Sequence, residues 1–312
     1  MQIGQYKIEP GETKEIDLYI GELPTGSTVT VKAHIYRSKN PGPTGLILAG
    51  MHGDEINSIE IVRQSIFNGF FTNLISGTVI AIPVLNIYGF MNFSRYVPDG
   101  KDVNRSFPGF STGSLASRVA KVMSKKILPI VDFGLDFHTG GDSRFNYPQV
   151  RYSPKSVKAL ELAQSFNAPL MIEKSTISKT LRAEAKSRDI PILVYEGGEA
   201  LRLNGFAIEV GLQGIQNVLF DKKMIDKKSA SPDREKLSFK KTTWVRAHQS
   251  GIFIWNKSSG NSVKKGEAIG VIYNPNGTES TSVKASRNGY LIGHNNTPVV
   301  NVGDALFNVG YQ

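Results

Sequence analysis

The chain has 312 residues, 40% of them hydrophobic and 21% charged, which fits a globular protein of one large domain or two unequal ones and excludes disorder throughout. The absence of cysteine excludes thiolate zinc sites, iron–sulfur clusters, redox dithiols and a cysteine nucleophile, leaving any metal to His, Asp and Glu. Thirty-seven Lys and Arg against 27 Asp and Glu give a net charge of +10, a balance that favours nucleic acid, an anionic surface or an acidic small substrate without choosing among them.

The N-terminal residues Met1 to Lys7 carry no apolar run suited to a signal peptide, and no segment approaches the ~18 uncharged apolar residues of a membrane span. A cytoplasmic location without a membrane partner is the expectation. Between Thr28 and Tyr36 the alternation of Val29, Val31 and Ile35 with polar residues predicts a strand, broken at Pro41-Gly42-Pro43-Thr44-Gly45. Leu46-Ile47-Leu48-Ala49 reads as a short buried strand ending at Gly50. After the loop Gly50 to Gly53, Ile56, Ile59, Ile66 and Phe67 fall near helical spacing and predict an amphipathic helix ending near Gly69. There follow a strand Thr78 to Pro83, a helix from about Ser114 to Leu128, a strand Asp132 to Asp136, a helix from about Ser156 to Phe166, and a strand Pro169 to Ile172. A helix near Leu181 to Arg188, a strand Ile190 to Tyr195 and a helix near Phe206 to Val218 complete the series. The alternation predicts an α/β fold, a sheet with helices on both faces, in which ligands bind at the carboxyl ends of strands.

Residues Lys222 to Lys241 hold eight Lys or Arg, Arg234 among them, without the interleaved aromatics that stack single-stranded nucleic acid. With no nucleic-acid reader motif beside them, they read as a solvated basic linker, 226–241, between a first domain, 1–225, and a β-rich domain, 242–312. In that last part Val263-Lys264-Lys265-Gly266-Glu267-Ala268-Ile269 is echoed by Val300-Asn301-Val302-Gly303-Asp304-Ala305-Leu306, which predicts two similar halves forming a small barrel. The pattern is similar to biotinyl and lipoyl carrier barrels, but the turn Asn274-Pro275-Asn276-Gly277 has no lysine to modify. A lid or an oligomerisation element is the expectation, and self-association stays open.

Four stretches carry chemistry. His52-Gly53-Asp54-Glu55 places an imidazole and a carboxylate three positions apart where a strand gives way to a helix, a metal-ligand spacing that also suits acidic residues at a helix N-terminus. Asp136-Phe137-His138-Thr139-Gly140 puts a second histidine at a strand's carboxyl end. His52, Glu55 and His138 together make a His₂Glu set that leaves zinc's fourth position open, as catalytic zinc requires. Arg95 and Asp102-Val103-Asn104-Arg105 lie in a Gly- and Pro-rich loop, where guanidinium forks suit carboxylates. Glu196 ends an apolar strand and is followed by Gly197-Gly198, a place from which a carboxylate can move protons; Glu199 is its rival.

In this order the motifs resemble the succinylglutamate desuccinylase/aspartoacylase family of zinc carboxypeptidase-like hydrolases, over roughly residues 20–220, and the β-rich tail is similar to the C-terminal domain of its bacterial members. The resemblance implies a zinc carboxypeptidase-like mixed sheet and one Zn²⁺ held by His52, Glu55 and His138. It implies Glu196 as general base and acid, Arg95 as the group polarising the scissile carbonyl, Asn104 with Arg105 gripping a substrate carboxylate, and Asp102 orienting His52. For an arginine that reads an acidic acyl group the candidates are Arg182 and Arg188, with Arg182 fitting better; no tyrosine, Tyr273 and Tyr290 included, matches the family's active-site tyrosine by motif. The implied substrate is an N-acyl amino acid or related small carboxylate, the alternatives being a carboxypeptidase for short peptides and a non-catalytic anion binder.

Overall fold

Strand Thr44–Leu48 is buried at every position because it runs between two parallel neighbours, Thr78–Ile82 and Phe133–Gly140, and both faces of the sheet are covered. Leu46 and Leu48 pack with Ala116, Val119 and Ala120 of helix Leu115–Val122. Ile47 and Ala49 turn to the other face, against Ile61 and Val62 of helix Ile56–Phe67, Leu162 of helix Val157–Phe166, and Ile215 and Val218 of helix Gly205–Asp221. Helices therefore lie on both faces, as the alternating pattern predicts.

The molecule is known from a computed structural model that describes residues 1–22, 25–230 and 236–312, so Arg234 lies outside the described residues. Among these, one mixed sheet of thirteen strands has the order Lys241–Arg246, Ala305–Tyr311, Gly289–Asn295, Arg144–Tyr152, Ile192–Glu199, Phe133–Gly140, Thr44–Leu48, Thr78–Ile82, Thr28–Arg37, Thr13–Glu22, with Leu170–Glu173, Leu237–Phe239 and Ser262–Val263 attached off this path. Its central strands are parallel and its flanks antiparallel.

Three features depart from the sequence reading. The predicted helix Ser114 to Leu128 is α-helical only over Leu115–Val122, then widens into a π turn at Met123–Ile127 and tightens at Leu128–Ile130, where Pro129 begins the last turn. Arg144–Tyr152, which the sequence reading leaves without structure, is a strand with three neighbours: it pairs with Ile192–Glu199, Leu170–Glu173 and Gly289–Asn295. Third, the basic stretch 226–241 is not linker throughout. Leu237–Phe239 forms a strand parallel to Leu170–Glu173, because Phe239 buries itself against Leu170, Ile172 and Ile292, and this apolar contact outweighs the surrounding charge.

The C-terminal strands are thus continuous with the central sheet through Gly293 opposite Asn146 and His294 opposite Phe145. A separate antiparallel sheet, Ser280–Lys284, Ala268–Tyr273, Gly251–Trp255, Val299–Val300, shares a core of Phe253, Ile269, Leu291, Leu306 and Phe307 with it. The internal repeat is realised as one turn built twice. Glu267 Oε2 accepts from the Lys264 amide at 2.8 Å and Asp304 Oδ2 from the Asn301 amide at 2.7 Å, while Gly266 and Gly303 take φ of 83° and 89°. The strands that follow enter different sheets.

Candidate metal centre and active site

The loop after Thr44–Leu48 is held where its side chains are needed. Gly53 sits so close to the helix Ile87–Met91 that a Cβ would stand 1.9 Å from the Gly89 carbonyl carbon, and its amide donates to the Ser94 carbonyl at 3.0 Å. Glu55 precedes the first turn of Ile56–Phe67 but makes no side-chain cap; its carboxylate turns inward instead.

There it meets both histidines. Glu55 Oε1 lies 2.7 Å from His52 Nδ1 and Oε2 lies 2.8 Å from His138 Nδ1. The outer nitrogen of each ring is backed by a second carboxylate: His52 Nε2 is 3.2 Å from Asp102 Oδ1, and His138 Nε2 is 3.1 Å from Asp136 Oδ2. All three central residues are buried, and one ligand atom from each falls within 4.8 Å of the others. Burial opposes the charge on each imidazole, but Glu55 with Asp102 raises His52, and Asp136 with Glu55 carries His138 well above the ordinary histidine range. Burial likewise opposes ionisation of Glu55, yet the two imidazoles hold it well below the carboxylate range. Two imidazoles and a carboxylate with carboxylates behind the rings are a donor set that fits zinc, for which proton and metal compete.

Around the cluster lies a cavity of about 270 Å³ that is also lined by Arg95, Asn104, Arg105, Arg182 and Glu196. Glu196 stands opposite His138 in the parallel pairing of Ile192–Glu199 with Phe133–Gly140. Its Oε1 pairs with Arg151 Nη1 at 2.8 Å and its Oε2 accepts from Asn146 Nδ2 at 2.8 Å. The rival Glu199 is turned away, accepting from Asn296 Nδ2 at 2.6 Å. Arg95 grips Asp102 Oδ2 through Nε at 3.2 Å and Nη2 at 2.9 Å, leaving Nη1 against His52 and Glu55. Asp102, with burial opposing and His52 and Arg95 favouring its charge, is held well below the carboxylate range. Asn104 Oδ1 accepts from the Leu181 amide at 3.0 Å, tying the Asp102–Arg105 loop to helix Leu181–Lys186.

Arg182, on that helix, is 8% exposed. One of its terminal nitrogens donates to the Ser175 carbonyl at 2.8 Å and the other is buried without a partner among the described residues. Burial, then the neighbouring Arg151, lowers it to about 10. Arg188 instead pairs with Glu184 at 2.6 Å, outside the cavity. The structure therefore brings His52, Glu55, Arg95, Asn104, Arg105, His138, Arg182 and Glu196 to one cavity, with Asp102 behind His52, and leaves Arg188 and Glu199 out of its lining. The sequence reading missed Asp136, Asn146 and Arg151, and also Trp244 and Asn308, which reach the cavity from the C-terminal strands. Of these, Asp136 alone had a local signal: it lies two residues before His138, hence on the same face of its strand. No tyrosine is among the residues lining the cavity; Tyr273 is exposed and Tyr290 donates to the Gly260 carbonyl at 2.6 Å.

Residues 41–220 match the family described as the succinylglutamate desuccinylase/aspartoacylase catalytic domain. The chain is 27% identical over 283 residues to the N-alpha-acetyl-L-2,4-diaminobutyric acid deacetylase of Halomonas elongata, covering 86% of this chain and 82% of that one. Two solved structures share its fold at a TM-score of 0.86. One is the product-bound ectoine utilization protein EutE of Ruegeria pomeroyi, 21% identical over 99% of this chain and 98% of the other. The second is a succinylglutamate desuccinylase/aspartoacylase from Rhodobacter sphaeroides, 24% identical with full coverage of both, 100% and 100%.

Proposed function

Because the chain belongs to the succinylglutamate desuccinylase/aspartoacylase family, we propose that it is a zinc-dependent hydrolase that cleaves the amide bond of an N-acyl amino acid. The observation that carries this reading is the convergence of His52, Glu55 and His138 beside Glu196 in one cavity. The diaminobutyrate deacetylase supports an acetylated amino acid as the substrate class.

In this reading His52, Glu55 and His138 hold the ion, with Asp102 and Asp136 fixing the ring orientations. Zinc, when bound, supplies Lewis-acid polarisation of the carbonyl and lowers the pKa of water. Glu196, oriented by Asn146 and Arg151, takes the proton of the attacking water and delivers it to the leaving amine. Nη1 of Arg95, which lies against His52 and Glu55 at the edge of the cluster, would turn to the oxygen on which charge develops, a stabilisation worth ~3 kcal/mol for one well-placed donor. Asn104 and Arg105 anchor the α-carboxylate, so that binding energy positions the amide, and Arg182 meets the acyl group on the cavity's buried side.

The test is a mass-spectrometric screen of purified, zinc-loaded protein against N-acyl amino acids beside short peptides, with zinc content measured on the same sample. Release of free amino acid from N-acyl substrates is the expected result. Stepwise trimming of peptides from the carboxyl end would point to a carboxypeptidase instead, and hydrolysis of neither would return the protein to anion binding.

A further inference from the structure

Away from the metal centre, a groove of about 890 Å³ opens beside the strands Leu237–Phe239, Gly289–Asn295 and Ala305–Tyr311. Its apolar part is largely aromatic. Leu237, Tyr290 and Tyr311 are each partly exposed there, and Tyr290 stacks on the buried Phe239 with ring centroids 6.2 Å apart. Its charged part is purely cationic: Lys265 and Arg287 line it, both exposed, and no Asp or Glu side chain does. The fold brings these two cations together. In the first copy of the repeated turn the Lys265 amide donates to Asn288 Oδ1 at 2.8 Å, which clips Lys265 to the turn that carries Arg287. In the second copy the matching residue is Val302, whose amide donates to Ser250 Oγ at 3.2 Å. Both copies keep the glycine and the carboxylate that close the turn, so a lysine at 265 is not a demand of the fold. The Arg287 guanidinium lies 4.1 Å over the Tyr311 ring, a contact that leaves its in-plane N–H donors unused. Among the described residues, no ion pair or hydrogen bond engages that guanidinium or the Lys265 ammonium.

We infer that this groove binds a small ligand that joins a flat apolar body to a carboxylate or phosphate. The body lies against Leu237, Tyr290 and Tyr311, and the anion between Lys265 and Arg287. The composition is that of a ligand site, mostly apolar with a few placed polar groups. A guanidinium fork takes two oxygens of a carboxylate or phosphate, and the ammonium adds a point charge. The aromatic surface offers faces for offset stacking. A neutral ligand would leave both cations idle, and a bare inorganic anion would leave the aromatic surface wet. The site is separate from the metal cavity, so the deacylase reading can hold or fail without it.

Isothermal titration calorimetry of the full chain with 1-naphthoate, 1-naphthyl phosphate and the neutral 1-naphthamide tests this. At least one anion should bind about tenfold or more tightly than the amide, since hydrogen bonds to charged groups are worth roughly one to two powers of ten. The tighter anion identifies the head group. Lys265→Gln combined with Arg287→Gln should erase that preference, whereas Arg287→Lys, which keeps the charge but not the fork, should retain part of it. Tyr311→Ala should weaken the anions about fivefold by removing both the stacking face and the support under the guanidinium. Lys265 and Arg287 are exposed, so circular dichroism should report an unchanged fold for the double variant. That variant decides the matter, because the metal cavity is cationic too. Anions that bind wild type and the double variant alike occupy the metal cavity and overturn the groove. Equal binding of the anions and the amide, or no binding of any of them, overturns it as well.

Discussion

The two ends of the central sheet bury histidine in opposite ways. At the carboxyl ends of Thr44–Leu48 and Phe133–Gly140, His52 and His138 are each pressed between two carboxylates and are shifted up. At the C-terminal flank His294 is equally enclosed, 5% exposed, with ring centroids 5.2 Å from Phe145 and 4.7 Å from Trp255. Its Nδ1 accepts from the Ser259 amide at 3.2 Å and lies 2.7 Å from the Ser259 hydroxyl. Burial lowers it to about 4, Asn296 opposing. Burial alone makes a neutral, structural imidazole; burial shared with carboxylates assembles a site whose negative charge invites a cation.

The comparison breaks most severely if the metal end is opened. His138→Ala should abolish both zinc retention, measured by elemental analysis, and hydrolysis, whereas His294→Gln should leave both near wild type. Next in size, Glu196→Gln should lower kcat by about 10³ with zinc content unchanged, since general acid–base catalysis is worth 10² to 10⁴; near wild-type turnover would remove Glu196 from the mechanism. A smaller effect sharpens the contrast. Asp136→Asn should weaken zinc binding by about 10- to 100-fold in a chelator competition, and unaltered affinity would mean that the carboxylate behind His138 is idle.

The smallest effect belongs to the other end. Because the folded-state value of His294 lies below that of an unfolded histidine, the unfolded chain binds more protons between about pH 6.5 and 4, and stability contributed by the neutral ring is present above that window and lost as pH falls through it. Relative to wild type, His294→Gln should flatten this decline by at most about 3 kcal/mol in denaturant titrations. Parallel curves for the two proteins would assign the acid sensitivity elsewhere.

Much of the site was legible because its chemistry sits in short segments. His52 and Glu55 flank one turn, Asp102, Asn104 and Arg105 share a loop, and Glu196 closes an apolar strand. Arg144–Tyr152 was not legible: Pro148 interrupts it, and Asn146, Gln149 and Arg151 break its apolar pattern. The structure explains two of those polar side chains, since Asn146 and Arg151 face Glu196, the first of them from 50 positions away. Phe239 shows the converse error, where a basic neighbourhood hid one apolar residue that anchors a strand.

Periodicity and breakers determined most of the strands and helices between Thr28 and Val218, Arg144–Tyr152 excepted, and which loops carry His, Glu and Arg, because those preferences depend on neighbours within a few residues. Only the tertiary structure decided that the chain's last strands join the central sheet, that Asp136 and Asp102 stand behind the two histidines, and that Trp244 and Asn308 complete the cavity. Strand order and register are settled by packing the whole sheet at once, and no local window contains the partners, 83 positions apart in the case of Glu55 and His138.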